Sequence, residues 1–411
     1  MTRVRAALQM QWQRRVAAAG ACALIGVLVA TAGPRLPALL SAAGLAVGIL
    51  GTSLLLAWGT TAAQADVSGR LVILFVALVA ALPELTVEVQ LAITRQAQLV
   101  TANLTGATRL DLTAAVVMPA LGSVLLRSRG QTMPRLVLNP GRRLDLAVLA
   151  LAALGSLFVV ARGRLTLIAG AVFGALYVLY MVRGQGGDDE QPAAIGVAAQ
   201  IASLDRASRR RLYRALLGFA AAAVFTTARA FPGELLRAGQ AFGIDPYLLI
   251  QWVIPLFTEV PELVVAGALV LYRRPAQGVA LLLAASVTQS TLAFASIPAA
   301  YLLGGGGTAL PLAGRERVEL LLTASTTLMA VAALASLEPD RTDGWIMAAA
   351  FGIQTLFPNW PVRLFAALAL LVFALDVLLS RRRSLRPIAA ALPLGARQHH
   401  RLGPDRHRTT P

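Results

Sequence analysis

Apolar runs of roughly 17–25 residues, the length a helix needs to cross ~30 Å of hydrocarbon, recur along almost the whole of this chain. Twelve can be read, near 16–33, 35–59, 70–93, 98–126, 144–161, 164–182, 214–230, 246–272, 276–303, 317–337, 344–357 and 361–380. The overall composition, 57% hydrophobic and 14% charged with a mean hydropathy of +0.69, lies outside the range of water-soluble domains. The expected class is therefore an all-α polytopic membrane protein with the lipid bilayer as its surroundings. The first run follows basic residues but precedes no small-residue cleavage site, so it reads as a membrane helix and not as a signal peptide. The run at 344–357 is short and meets the last one at "FPNWP".

The net charge of +17 resides on arginines that gather between the spans. Arg3, Arg5, Arg14 and Arg15 precede the first span; Arg127, Arg129, Arg135, Arg142 and Arg143 follow the fourth; others crowd 206–214 and the tail from Arg381. With twelve spans all these segments fall on one side, and the positive-inside rule makes that side the cytoplasm. This placement argues for topology and against a nucleic-acid partner, and it predicts a bacterial inner (plasma) membrane protein with both termini cytoplasmic. A single cysteine, Cys22, excludes an intrachain disulfide, and His399, His400 and His407 lie in a Pro/Arg-rich tail read as disordered. An enzyme is not expected, because no intramembrane histidine is available as a base and "GGGG" at 304–307 lacks the Lys-Ser/Thr of a phosphate-binding loop.

Two segments break the apolar pattern in the same way. "ALPELTVEVQ" at 81–90 and "LFTEVPELVVAG" at 256–267 share a Pro-Glu-Leu core within an apolar run. Two spans after each polar pair, "GRLTLIAGAVFGALY" at 163–177 resembles "DGWIMAAAFGIQTLF" at 343–357. The repeat unit then holds five spans, and an odd number turns the second copy upside down in the membrane. The expected organisation is an N-terminal segment with an extra helix (1–34), a first repeat (35–182), a cytoplasmic linker (183–213), a second repeat (214–357), a second extra helix (358–380) and a basic tail (381–411). In such an inverted pair Glu84 and Glu262 approach one another near the bilayer midplane.

Proline inside a helix frees the carbonyl one turn back, so Pro83 would release that of Val79 and Pro261 that of Phe257. Free carbonyls are tolerated in hydrocarbon only where they face protein, water or a ligand. A carboxylate beside each one makes a hard-oxygen shell of the kind Ca²⁺ or Na⁺ takes up. Helical spacing adds Thr258 and Glu259 to Glu262, and Glu88 to Glu84. A carboxylate in the membrane core costs at least ~2.5 kcal/mol on insertion scales, so all four are expected to face inward and hold cations or protons. Fixed salt bridges to Arg95 and Arg109 are the structural alternative. Asn103, Asp111, Ser286, Thr288 and Gln289 on the following helices are candidates to line the cavity. Thr105, Ser290 and Thr291 read as interhelical glue.

"LPEL" followed by "ANLTGATRLDL" at 102–112 resembles the first alpha repeat of the cation/Ca²⁺ exchanger superfamily, with Glu84, Asn103 and Gly106 at the matching places. "FTEVPEL" then "ASVTQSTL" at 285–292 resembles the second, nearer to the cation/proton branch. The resemblance implies antiport of inorganic cations by alternating access, without a cofactor, at a site of Glu84, Glu262, Glu259 and Thr258. The chain departs from the family pattern at Ala80 and Ala81, where the family has Thr-Ser, and at Glu259 in place of Ser. Losing neutral hydroxyls and gaining Glu88 and Glu259 suggests Ca²⁺/H⁺ exchange. Na⁺/Ca²⁺ exchange, or an exchanger-like protein with a regulatory role, is the alternative.

Overall fold

Helices make up nearly all of the computed structural model, which describes residues 2–66, 78–79, 81–183 and 194–391. In chain order they are α1 (Thr2–Ala32), α2 (Ala38–Gln64), α3 (Leu82–Ile93), α4 (Ala97–Ser128), α5 (Arg143–Arg162), α6 (Leu167–Arg183), α7 (Gly196–Ala202), α8 (Arg206–Gln240), α9 (Pro246–Leu271), α10 (Pro275–Thr288), α11 (Phe294–Leu303), α12 (Gly314–Leu334), α13 (Arg341–Leu356), α14 (Trp360–Ser380) and α15 (Arg382–Ala389). Among the described residues nine helical stretches are long and apolar enough to cross a membrane, with α10 and α11 joined into one of them by a π turn at Gln289–Ala293. The expected span 70–93 lies partly outside the described residues, and its described C-terminal part is α3. The runs at 164–182 and 344–357 form the shorter helices α6 and α13, of 17 and 16 residues.

Polarity is distributed as a bilayer requires. Phe158, Ile168, Val172, Phe365 and Val372 project outward, where lipid replaces water, while hydroxyls face inward. Those hydroxyls bond back to their own helices: Thr52 Oγ1 donates to the Ile49 carbonyl (2.8 Å), Thr105 to Thr101 (2.7 Å) and Thr326 to Leu322 (2.8 Å). Each thereby satisfies its polar group without a partner helix. Helix entries are set by short polar caps. Asp205 accepts from the amides of Ala207 and Ser208 to start α8, and Asp245, followed by Pro246, accepts from Tyr247 to start α9.

Three apolar clusters hold the bundle. One joins α1, α2 and α8 through Ala23, Leu55, Leu56 and Ala220. A second centres on α5, α12 and α14, and a third on α3, α4 and α9 with α11. The helices α4 and α9 touch backbone to backbone: a Cβ at Gly106 would fall 1.9 Å from the Gln251 carbonyl oxygen. Only glycine fits there, and small residues at such crossings are how membrane helices approach closely. Away from the helices, Arg164–Thr166 (β1) pairs antiparallel with Ala309–Pro311 (β2), Leu165 opposite Leu310.

The two proline segments do different things. Pro83 occupies the first turn of α3, where a missing N–H costs nothing, and so marks a helix start. Helix α9 instead runs on through both Pro255 and Pro261.

Candidate functional site

A cavity of about 260 Å³ lies where α3, α9 and the end of α10 face α2. Its wall carries Glu84 from the first turn of α3, Thr258, Glu259 and Glu262 from α9, and Thr288 and Gln289 from the α10 end and the π turn. Ser53 and Gln64 of α2 and Arg142, just before α5, complete the polar part of the wall. Gln64 ends its helix and Arg142 precedes the start of another, so the cavity reaches toward the end of the bundle that carries the basic 127–143 loop.

Glu259 is the hub of the acidic residues. Glu84, Asp111, Thr258 and Gln289 lie within side-chain interaction range of its carboxylate, and its charge also acts on Glu88 and Glu262. Glu84 and Glu259 are almost fully buried and Glu262 is half-buried. One oxygen each of Glu84 and Glu262, and the Gln289 carbonyl oxygen, have no hydrogen-bond partner among the described residues. Behind the wall, Gln289 Nε2 donates to Asp111 Oδ2 at 3.2 Å, which ties the π turn to α4. Glu88 is completely buried with neither carboxylate oxygen partnered among the described residues, and neighbouring Asn103 likewise has both amide atoms unpartnered. Thr258 Oγ1 sits 3.3 Å from the Ile254 carbonyl and 3.5 Å from Glu259 Oε1.

Of the residues expected from the sequence, Glu84, Thr258, Glu259, Glu262, Thr288 and Gln289 share the cavity wall. Glu88, Asn103 and Asp111 stand immediately behind it. Ser286 donates to its own helix at the Leu282 carbonyl (2.8 Å) and is absent from the wall. Arg95 is exposed in the turn after α3. Arg109 turns to a separate cluster: Nη2 pairs with Glu319 Oε2 at 2.8 Å, Nη1 donates to Gln354 Oε1 at 2.6 Å and Nε to the Thr105 carbonyl at 3.0 Å. Arg363 holds the other oxygen of Glu319 and donates to Gln251 Oε1 at 2.9 Å, and Gln251 Nε2 returns to Glu319 Oε2 at 2.9 Å. This fully buried network joins α4, α9, α12, α13 and α14. Glu319 and Arg363 were visible as charges inside apolar runs, but nothing in their spacing reveals that they meet. Ser53, Gln64 and Arg142 carry no local signal beyond polarity at a helix end.

A nearly all-helical membrane bundle with carboxylates from two separate helices converging on one internal cavity can hold a cation or protons there. The sodium/calcium exchanger protein family matches residues 23–183. A crystal structure of an H⁺/Ca²⁺ exchanger, CAX, superposes with a TM-score of 0.83 at 28% identity, covering 93% of this chain and 98% of that one. Native YfkE superposes with a TM-score of 0.60 at 13% identity over 85% of this chain and 98% of that one, a likeness of fold. Among curated protein sequences none is a significant match. The chain thus resembles the cation/Ca²⁺ exchanger superfamily, in sequence over residues 23–183 and in fold over most of its length, and its apolar helices make it an integral membrane protein.

Proposed function

We propose that the protein exchanges Ca²⁺, or a cation of similar chemistry, for H⁺ by alternating access, with Glu84, Glu259, Glu262 and Thr258 holding the cation. The observation that carries this reading is the convergence of Glu84, Glu259 and Glu262 on one cavity wall, with Glu88 and Asp111 directly behind. Five carboxylates crowded in a low-dielectric interior cannot all stay ionised without compensation. A divalent cation supplies that compensation, and so do protons; occupancy by one excludes the other and links the two fluxes. Glu88, Asn103, Asp111, Thr288 and Gln289 shape and orient this site. The 28%-identical relative is an H⁺/Ca²⁺ exchanger, which favours H⁺ over Na⁺ as the coupling ion. Ala81 on the wall, where the family pattern has a hydroxyl, points the same way.

In this reading the two halves, 35–182 and 214–357, are inverted repeats. The basic-loop face is cytoplasmic in a bacterial plasma membrane, and the cavity is open toward it. A regulatory, non-transporting reading rests on the missing Thr-Ser pair and on the intramembrane Arg109; the engagement of Arg109 with Glu319 removes the second support. Flux in reconstituted vesicles tests the proposal. A pH gradient should drive ⁴⁵Ca²⁺ uptake and a Na⁺ gradient should not; uptake that tracks Na⁺ and ignores pH would overturn proton coupling.

A further inference from the structure

We propose that Arg142 is a tethered competitor for the transported cation: its fixed positive charge on the wall of the acidic cavity sets how tightly a cation is held, and does so in proportion to valence. The inference rests on reading the cavity as the cation site. Arg142 shares that wall with Glu84, Glu259 and Glu262, and among the described residues is the one basic side chain on it. It does not reach there on a loose tether. Residues Pro140–Arg142 form a 3₁₀ turn in which Asn139 Oδ1 accepts from the Gly141 amide at 2.9 Å and the Asn139 carbonyl from the Arg142 amide at 2.9 Å. Just upstream, the Leu138 amide donates to the Leu337 carbonyl at 2.8 Å, and Leu136 and Leu138 are buried. The backbone that delivers Arg142 is thus anchored to the body of the bundle.

The side chain is only 14% exposed, and its Nη1 lies 3.0 Å from Asp145 Oδ2. Asp145 is not on the cavity wall, so the pair presents its positive end to the glutamates and its negative end to the protein. Arg135, from the same basic loop, is highly exposed and paired with Glu338, so loop charge as such does not face the site. A fixed charge acts on an ion with an energy proportional to the ion's own charge. At a pH where binding displaces no proton, the logarithm of the affinity change should therefore stand in the ratio 2:3 for a divalent and a trivalent ion, a relation that loss of fold or of a ligand would not reproduce.

The test measures equilibrium binding of Ca²⁺ and of Tb³⁺ to the full chain in nanodiscs, at fixed pH and ionic strength, in wild type, Arg142→Gln, Arg142→Lys and Asp145→Asn. For a unit charge on the same cavity wall, acting through partly hydrated protein, Arg142→Gln should tighten Ca²⁺ about tenfold and Tb³⁺ about thirtyfold. Arg142→Lys should stay near wild type, and Asp145→Asn should weaken both ions. Equal shifts for the two ions, weaker binding in Arg142→Gln, or lysine behaving as glutamine would overturn the proposal. Binding that Glu84→Gln and Glu262→Gln leave intact would overturn the site reading and this inference with it. Binding that those variants abolish, but that Arg142→Gln leaves unchanged, would overturn this inference alone.

Discussion

A carboxylate inside a bilayer needs something to answer its charge, and this protein uses two kinds of answer. At Glu319 the answer is permanent, because Arg109 and Arg363 grip one oxygen each with Gln251 filling the remaining bond. At Glu84, Glu259 and Glu262 the protein offers amides and a hydroxyl, with unpartnered oxygens left over among the described residues. The two groups should respond to mutation in opposite ways. Glu84→Gln or Glu262→Gln should lower exchange at least about a hundredfold while leaving the thermal unfolding midpoint nearly unchanged, since removing an uncompensated charge costs no packing. Glu319→Gln should strand two buried guanidinium groups and cost about 3–5 kcal/mol, read as a large fall in that midpoint. The isolated glutamates beside proline were legible in the sequence because the membrane makes any unexplained charge conspicuous. The Arg109 partner was not legible: Glu319 lies 210 residues away, and a side chain's choice between two acidic neighbours depends on which way its helix face turns.

Among the elements, the crossing of α4 and α9 fixes the spacing of the site. Gly106 lies three residues after Asn103 and five before Asp111, while Gln251 lies two turns before Thr258, so prying the crossing apart would separate Asp111 from Glu259. Gly106→Val should therefore cost about 1–3 kcal/mol from overpacking and abolish exchange, measured as unfolding midpoint and vesicle flux together; Ala107→Ser beside it should do neither. A glycine at this position could be read from the motif, whereas the touching backbone could not. The π turn at Gln289–Ala293 was likewise hidden, because 276–303 reads as one continuous helix, and its polar residues do not reveal a local change of hydrogen-bond spacing. A second contact joins α2 to α8: Arg209 grips Asp66 with Nε at 2.8 Å and Nη2 at 2.6 Å. The hydrogen bond from Arg209, with the charges of Arg210 and Arg206 beside it, holds the Asp66 carboxyl below the ordinary carboxylate range. A depressed pKa contributes stability above the unfolded value and loses it as the pH falls through the folded one. Asp66→Asn should thus lower the unfolding midpoint near neutrality, and the difference from wild type should vanish only as the pH drops below about 4.

At the scale of the whole molecule the hydropathy pattern carried most of the architecture, since each apolar run had little choice but to become a helix among helices. It failed at the margins. The short run at 344–357 gave a helix of 16 residues, below full spanning length, and the strand pairing of 164–166 with 309–311 has no periodicity to betray it. Access to the cavity is a property of the assembled bundle, and it can be followed because Cys22 is the sole cysteine. In a Cys22→Ala background, Gln64→Cys should react with a membrane-impermeant maleimide from the face carrying the 127–143 loop and not from the other. Excess Ca²⁺ should slow labelling of Ser53→Cys, and modification of Gln64→Cys from both faces at equal rates would contradict a one-sided opening. The small ladder between β1 and β2 bears on biogenesis. Its first strand leaves the ribosome long before its mate exists, so the earlier helices must wait in the insertion machinery or the lipid with that edge unzipped, and closing the ladder is one of the later events that fastens the nascent N-terminal portion to the C-terminal helices.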